Sequence, residues 1–344
     1  MKYKITDNIL NLVYEFSRLH TFLCAQDMDS VWFKKLEETI GTRAALAAVS
    51  IDSAMQLDLL LQQTRELRVH NSLKADFKRY KHLKDMLVKI FKDDYDINLD
   101  LIEKLHSILL GVEYKEEQYT FRKTSKTVSR ITNENGVYKR VTYKIKTEPV
   151  AILKKLNDLI KWFNENKLVV NPIILTGIVH LKMLEIHPYN EGTGRLARLL
   201  IHGILHTYGI DVYNVIPIEE YYLKYRDRYY EIIDEAATTQ NYTKWLEFFC
   251  ESLLYSVNEA IDELTKISGG SINLKSNSVV HLTPKEAEIV STLTESGQLS
   301  GAEIAKQLEV SRQHINTILK KLEAKKLVKK IGKGTKCRYE LLNK

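Results

Sequence analysis

His187-Pro188-Tyr189-Asn190-Glu191-Gly192-Thr193-Gly194-Arg195-Leu196-Ala197-Arg198 reads as a loop that opens into a helix, set between two stretches of helical periodicity. Gly192 and Gly194 allow a sharp bend that turns successive backbone N–H groups toward one point, and the helix start behind them adds a positive dipole end. Arg195 and Arg198, three residues apart, share a helix face and can both grip phosphate oxygens. Glu191 offers a hard oxygen ligand for Mg²⁺ bridging those phosphates, and His187 can take a proton from an incoming hydroxyl. The stretch predicts a site for polyphosphate, divalent metal and proton transfer. Each feature alone is common. Six fixed positions at about 5–7% usage each coincide by chance on the order of 10⁻⁵ times in a chain this long.

The neighbouring sequence is helical. Helices are expected at 172–186 and 194–208 on either side of the loop, and further ones at 219–238 and 241–264. Ile152, Leu156, Leu159, Ile160 and Phe163 make one helix face, and Ile9, Leu10, Val13, Phe16 and Leu19 another. Residues 1–110 contain no Pro and read as helical throughout. Between them, Val141, Tyr143 and Ile145 alternate with Arg140, Thr142 and Lys144, while Asn133-Glu134-Asn135-Gly136 separates them from Thr127 to Ile131, a β-hairpin pattern. Trp32, Trp162 and Trp245 read as core anchors, and His180 as a packed or hydrogen-bonded helix residue.

The 344 residues allow two or three domains, and 44% apolar with 28% charged residues excludes wholesale disorder. No apolar run is long enough to span a membrane, and Cys24, Cys250 and Cys337 form no metal knuckle or disulfide framework, so a soluble, cytoplasmic chain is expected. The net charge of +7 is uneven: residues 281–344 hold 13 Lys and Arg against 7 Glu, leaving +1 for the rest. That basic end suggests a polyanionic partner for one module only. Thr283-Pro284-Lys285-Glu286 and Ser300-Gly301-Ala302-Glu303 are two capping boxes, a third helix begins at Ser311, and Leu327 to Leu341 suggests a short hairpin. This is a winged helix-turn-helix pattern. Arg312, Gln313, Asn316 and Lys320 fall on one face of its third helix, opposite Ile315 and Leu319, where base edges and phosphates of duplex DNA would be read. Lys329, Lys330, Lys333 and Lys336 bracket the wing. The alternative for this module is protein contact.

The loop resembles the signature of the Fic family, HxFx(D/E)GNGRxxR. Val179 to Ile186 resembles the helix preceding that signature, and Tyr222 to Tyr230 the family's Y-x-x-x-R-x-x-Y-Y helix, with Arg226, Tyr229 and Tyr230 in register. The resemblance implies a mainly α fold: an all-helical Fic-type core with a β-hairpin flap, plus a small α+β winged-helix domain. The boundaries expected are an N-terminal helical region at 1–110, a core at 111–265 with its flap at 123–148 and signature loop at 187–198, a linker at 266–280, and the winged helix at 281–344.

The activity implied is transfer of AMP from ATP, with Mg²⁺, to a Ser, Thr or Tyr hydroxyl of a protein target. By position, His187 would be the general base and Glu191 the metal ligand. Gly192, Thr193 and Gly194 would line the phosphate nest, Arg195 and Arg198 would hold phosphates, and Tyr229 would contribute to the nucleotide site. Two residues depart from the family. Tyr189 replaces Phe and needs a hydroxyl partner if buried, and Thr193 replaces Asn, losing an amide donor. The alternative reading is a DNA-binding regulator whose core only senses nucleotide. The chain is compatible with oligomerisation and shows no membrane feature. An inhibitory helix (S/T)xxxE(G/N), common in the family, would fall within 45–68, where Gln56 and Glu66 give only degenerate copies, so weak or absent autoinhibition is expected.

Overall fold

The computed structural model describes residues 2–26, 30–51, 71–91, 96–116, 118–134, 137–211, 214–270, 272, 283–308, 310–325, 327–332 and 337–342. Gln56, Glu66, Lys333 and Lys336 lie outside these residues. The chain forms two compact units. One holds Met1–Ser17 and Ile40–Ser256, the other Arg18–Thr39 and Val257–Lys344.

The first unit takes in the following helices, the first two and the last only in part: α1 (Asp7–Cys24), α2 (Val31–Ile51), α3 (Asn71–Ile90), α4 (Leu99–Leu110), α5 (Ile152–Asn166), α6 (Pro172–Ile186), α7 (Thr193–Thr207), α8 (Ile218–Lys224), α9 (Arg226–Thr239) and α10 (Thr243–Ile267). Its sheet is an antiparallel pair, β1 (Thr127–Glu134) and β2 (Val137–Lys144), with Thr127 opposite Lys144 and Arg130 opposite Val141. The hairpin expected from the alternation is therefore present, with longer strands.

α6 sits at the centre, packing on α5, α7 and α9, and is buried around nearly its whole circumference. Asn171 caps its start by accepting from the Ile173 N–H, with Pro172 at the first helical position. α7 packs in turn on α3 and α4. In α5 the residues Ile152, Leu156, Leu159 and Phe163 turn inward, while Ile160 is only half-buried. Trp32 and Trp245 are buried as expected, but Trp162 is half-exposed, and Leu10 faces solvent beside the inward Ile9 and Phe16.

One expected helix is two. The 219–238 segment breaks at Tyr225, whose backbone leaves the helical region (φ −111°, ψ 41°). The bend accompanies aromatic packing on both sides: Tyr222 stacks on Tyr229 with ring centroids 4.5 Å apart, and Tyr221 meets Tyr225 at 4.6 Å. Periodicity alone cannot register such a break, because the inward stripe continues through it.

In the second unit, α11 (Pro284–Ser296), α12 (Gly301–Gln307) and α13 (Arg312–Ala324) are followed by the antiparallel pair β3 (Val328–Ile331) and β4 (Arg338–Leu341). Both capping boxes form, with Glu286 and Glu303 answering the backbones of Thr283 and Ser300. Ile304, Ile315, Leu319, Leu322 and Val328 make the core. The described start of the expected 266–280 linker is a helix cap, while residues 271 and 273–280 of it lie outside the described residues. Gly269 and Gly270 take positive φ and donate to Lys266 O and Thr265 O, and a Cβ on Gly269 would lie 2.6 Å from Leu341 Cδ1. Among the described residues no helix is long and apolar enough to cross a membrane.

Candidate active site and nucleic-acid face

α6 ends at Ile186, and the next residue turns the chain. His187 adopts a left-handed backbone (φ 47°, ψ 64°) as the helix cap, its N–H still donating to Met183 O at 2.9 Å. Few non-glycine residues sit there, so the surrounding contacts must hold it. The loop then runs to Gly192 (φ 78°), the N-cap of α7, with no side chain capping the helix. Gly192 has a second constraint: a Cβ would lie 3.2 Å from Leu110 Cδ2 and 3.4 Å from His106 Nε2. Gly192, Thr193 and Gly194, where α7 starts, line a cavity of about 310 Å³.

That cavity is lined by His187, Glu191, Gly192, Thr193, Gly194, Arg195, Arg198 and Tyr229, so the expected core-site residues come together. Lys126, Thr127 and Tyr143 of the hairpin close it on one side. The arrangement gathers three arginines (Arg195, Arg198 and Arg226), a helix N-terminus, an exposed carboxylate and an imidazole around one space, a set suited to a polyphosphate.

Several of these side chains also have protein partners. Thr193 is buried and turns its hydroxyl back to the loop, accepting from Tyr189 N–H at 3.3 Å and donating to Tyr189 O at 3.4 Å. Its side-chain oxygen is thus engaged within the loop. Arg195 pairs with Asp76 of α3 at 2.7 Å, and Asp76 also accepts from Arg79 at 2.5 Å. Arg198 is buried and donates to Ala48 O at 2.8 Å. Tyr229 meets His180, whose Nδ1 contacts Ala197 O at 3.0 Å and whose Nε2 contacts Tyr229 Oη at 2.9 Å. Burial drives the His180 pKa down to about 3, so its imidazole is neutral.

Four residues that motif reasoning missed hold the loop from outside. Tyr189 is buried, and its hydroxyl donates to Glu103 of α4 at 2.8 Å. Burial and the Glu103 carboxylate push that phenol well above its ordinary pKa. His106, one turn further on α4, stacks on the Tyr189 ring at 3.5 Å and contacts Glu191 O at 2.9 Å. Lys126 donates to Asn190 O at 2.6 Å, and Arg122 donates to His187 O at 2.8 Å. The sequence signal for one of them was the hydroxyl of Tyr189, which required a buried partner without naming Glu103.

On the second unit, Arg312, Gln313, Asn316 and Lys320 are exposed on α13, opposite the buried Ile315 and Leu319. Of the wing cations, Lys329 pairs with Glu340 at 2.6 Å, while Lys330 is exposed.

The chain matches the Fic/DOC family over residues 96–205 and the family described as sugar-specific transcriptional regulator TrmB over residues 278–344. It is 23% identical over 288 residues to the protein adenylyltransferase fic-1 of Caenorhabditis elegans, covering 83% of this chain and 52% of that protein. It is 22% identical to the Caenorhabditis briggsae counterpart, covering 86% of this chain and 54% of the other. The chain thus spans about half the length of the curated relatives it matches. Among solved structures, it resembles a Fic family protein from Desulfovibrio desulfuricans G20 with a TM-score of 0.64 at 20% identity, covering 99% of this chain and 98% of that one. A Fic-1 fragment from Caenorhabditis elegans gives 0.56 at 19% identity, covering 75% and 73%. At these identities the structural likeness concerns fold. Fold, signature and family matches agree: the chain carries a Fic/DOC family domain over residues 96–205 and a TrmB-type winged-helix region over 278–344.

Proposed function

We propose that this chain is a protein adenylyltransferase that moves AMP from Mg-ATP to a Ser, Thr or Tyr hydroxyl of a protein target. The observation that carries the reading is the convergence of His187, Glu191, Arg195 and Arg198 with the start of α7 on a single cavity. In the step, the target hydroxyl oxygen attacks the α-phosphorus, the bond from that phosphorus to the β-phosphate bridging oxygen breaks, and pyrophosphate leaves. His187 accepts the hydroxyl proton. The guanidinium groups and the α7 N–H groups offset the charge of the leaving pyrophosphate, and positioning with charge neutralisation supplies most of what such chemistry needs. Among the described residues no three His, Cys, Asp or Glu side chains gather as a metal cage. One carboxylate, Glu191, suits Mg²⁺ held chiefly by nucleotide phosphates, where the ion would neutralise phosphate charge.

The exposed α13 face supports duplex DNA as the partner of the C-terminal region, through Arg312, Gln313, Asn316 and Lys320, with Lys333 of the wing assigned on sequence alone. A second reading, a DNA-binding regulator that senses nucleotide without transfer, draws on the protein partners already engaging Arg195 and Arg198. Incubation of the chain with α-labelled ATP and cell lysate separates the two. Label should appear on protein with the wild type and vanish with His187→Ala, whose ATP affinity stays close to that of wild type. ATP binding without any transferred label would favour the sensor.

A further inference from the structure

Arg122 stands a few residues before β1 and is only 2% exposed, yet its observed acceptors are backbone carbonyls. Nε donates to His187 O at 2.8 Å and Nη1 to Thr124 O at 2.8 Å, while Nη2 reaches Thr147 O and, at 3.4 Å, Ile186 O. Its own N–H donates to Pro188 O at 2.8 Å. These acceptors come from two places. Ile186, His187 and Pro188 are the end of α6 and the turn after it, and Thr124 and Thr147 flank the base of the β1–β2 hairpin.

We infer that Arg122 is a positioning residue for AMP transfer: it fixes the left-handed backbone that carries His187 and ties that backbone to the hairpin base. The inference rests on the reading of His187 as general base. Three physical points support it. The last carbonyls of a helix lack intrahelical partners and carry the negative end of its dipole, so a cation is favoured there. A guanidinium presents five donors in a rigid plane and can serve several carbonyls at once, which an ammonium point charge cannot. A buried guanidinium is costly unless its donors are met, so both the turn and the hairpin base must be in place together. The backbone at His187 persists only because its surroundings over-determine it, and Arg122 supplies donors to carbonyls on both sides. Thr147 extends the tie. Its hydroxyl donates to Glu185 O at 3.0 Å and accepts from Lys155 Nζ at 2.9 Å.

The test uses the full chain with Arg122→Lys, Arg122→Gln and Thr147→Val. Transfer kcat and KM for ATP are measured alongside Mg-ATP affinity and stoichiometry by calorimetry. Displacement of a general base by an ångström costs about a hundredfold, so kcat should fall about 10- to 100-fold in both Arg122 variants. KM and affinity for ATP should stay within about threefold, with stoichiometry near one. Thr147→Val, a milder change that serves if the Arg122 variants do not fold, should lower kcat about threefold at unchanged ATP affinity. A kcat within twofold of wild type in a folded Arg122 variant, or in Thr147→Val if those do not fold, overturns the inference. So does a loss of kcat matched by an equal loss of ATP-binding sites. A wild type that binds ATP and transfers nothing overturns the adenylyltransferase reading instead. The imidazole resonance of His187, in chain labelled at histidine, then decides the role of Arg122: a shift in Arg122→Lys supports it, and an unmoved resonance refutes it.

Discussion

Tyr189 shows what one oxygen can do. Its hydroxyl meets Glu103, whose other carboxylate oxygen accepts from the N–H and the hydroxyl of Thr120 at 2.9 and 2.6 Å. Tyr189→Phe would restore the residue usual in the signature, yet it strips a donor from a buried carboxylate. That loss costs about 1–3 kcal/mol, so a thermal melt followed by circular dichroism should show a midpoint lower by about 2–10 °C. An equal or higher midpoint would mean that Glu103 does not depend on the phenol. Asp76 poses a different question, because it sits on Arg195 where a phosphate is proposed to go. Asp76→Asn removes the competing charge and should tighten Mg-ATP binding about three- to tenfold by calorimetry. Weaker binding would show that Asp76 orients Arg195. The need for a partner at Tyr189 was readable from the sequence. Glu103, His106, Arg122 and Asp76 were not, because each lies far along the chain from the loop it touches and no local pattern marks it.

Helices were the most readable elements. Expected boundaries at 172–186 and 194–208 compare with Pro172–Ile186 and Thr193–Thr207, and both capping boxes form as written. Caps and periodicity act over a few residues, so they survive in a single sequence. The break at Tyr225 did not, since it is tied to aromatic packing between turns. Nor did the buried cluster that joins α3, α7 and α8. There His202 meets Asp211 and Glu219 at 2.5 and 2.7 Å, Tyr80 also donates to Glu219, and Lys84 is buried nearby. Burial alone would keep His202 neutral, but Glu219 and the hydrogen bonds that the imidazole donates to both carboxylates raise its pKa. Burial likewise opposes ionisation of Glu219, but His202, Lys84 and the donated hydrogen bonds bring it down to about 2. A raised histidine contributes fully below its ordinary value of 6.5, and that contribution is lost as pH climbs through the raised one. The depressed Glu219 contributes fully above its ordinary 4.5 and loses that contribution as pH falls toward 2. The melting midpoint of the wild type should therefore exceed that of His202→Gln most between about pH 4.5 and 6.5. The gap should narrow as pH climbs above 6.5 through the raised value, and a gap independent of pH would mean that His202 is not charged in the folded chain.

At the level of the molecule, charge placement was plain in the sequence and unit membership was not. The basic excess of residues 281–344 and the exposed α13 face predict a salt-dependent affinity for duplex DNA. In fluorescence anisotropy with the full chain, Arg312→Ala and Lys320→Ala should each flatten the slope of log K against log salt by about one if they touch phosphate. Slopes unchanged by both would point to protein contact. Unit membership depends on packing between distant segments, and so Arg18–Thr39, expected with the N-terminal helical region, belongs to the same unit as Val257–Lys344. A ribosome makes these two pieces far apart in time. With the whole of Ile40–Ser256 between them, and synthesis at about 5–20 residues per second, the first piece waits roughly 10–40 seconds for the second to begin. Through that interval Trp32, Phe33 and Leu36, all buried in the finished protein, have no completed unit to enter. The nascent chain thus carries an early apolar segment that a chaperone can hold, and the order of synthesis favours completing the unit that holds Ile40–Ser256 before the one that ends in Val257–Lys344.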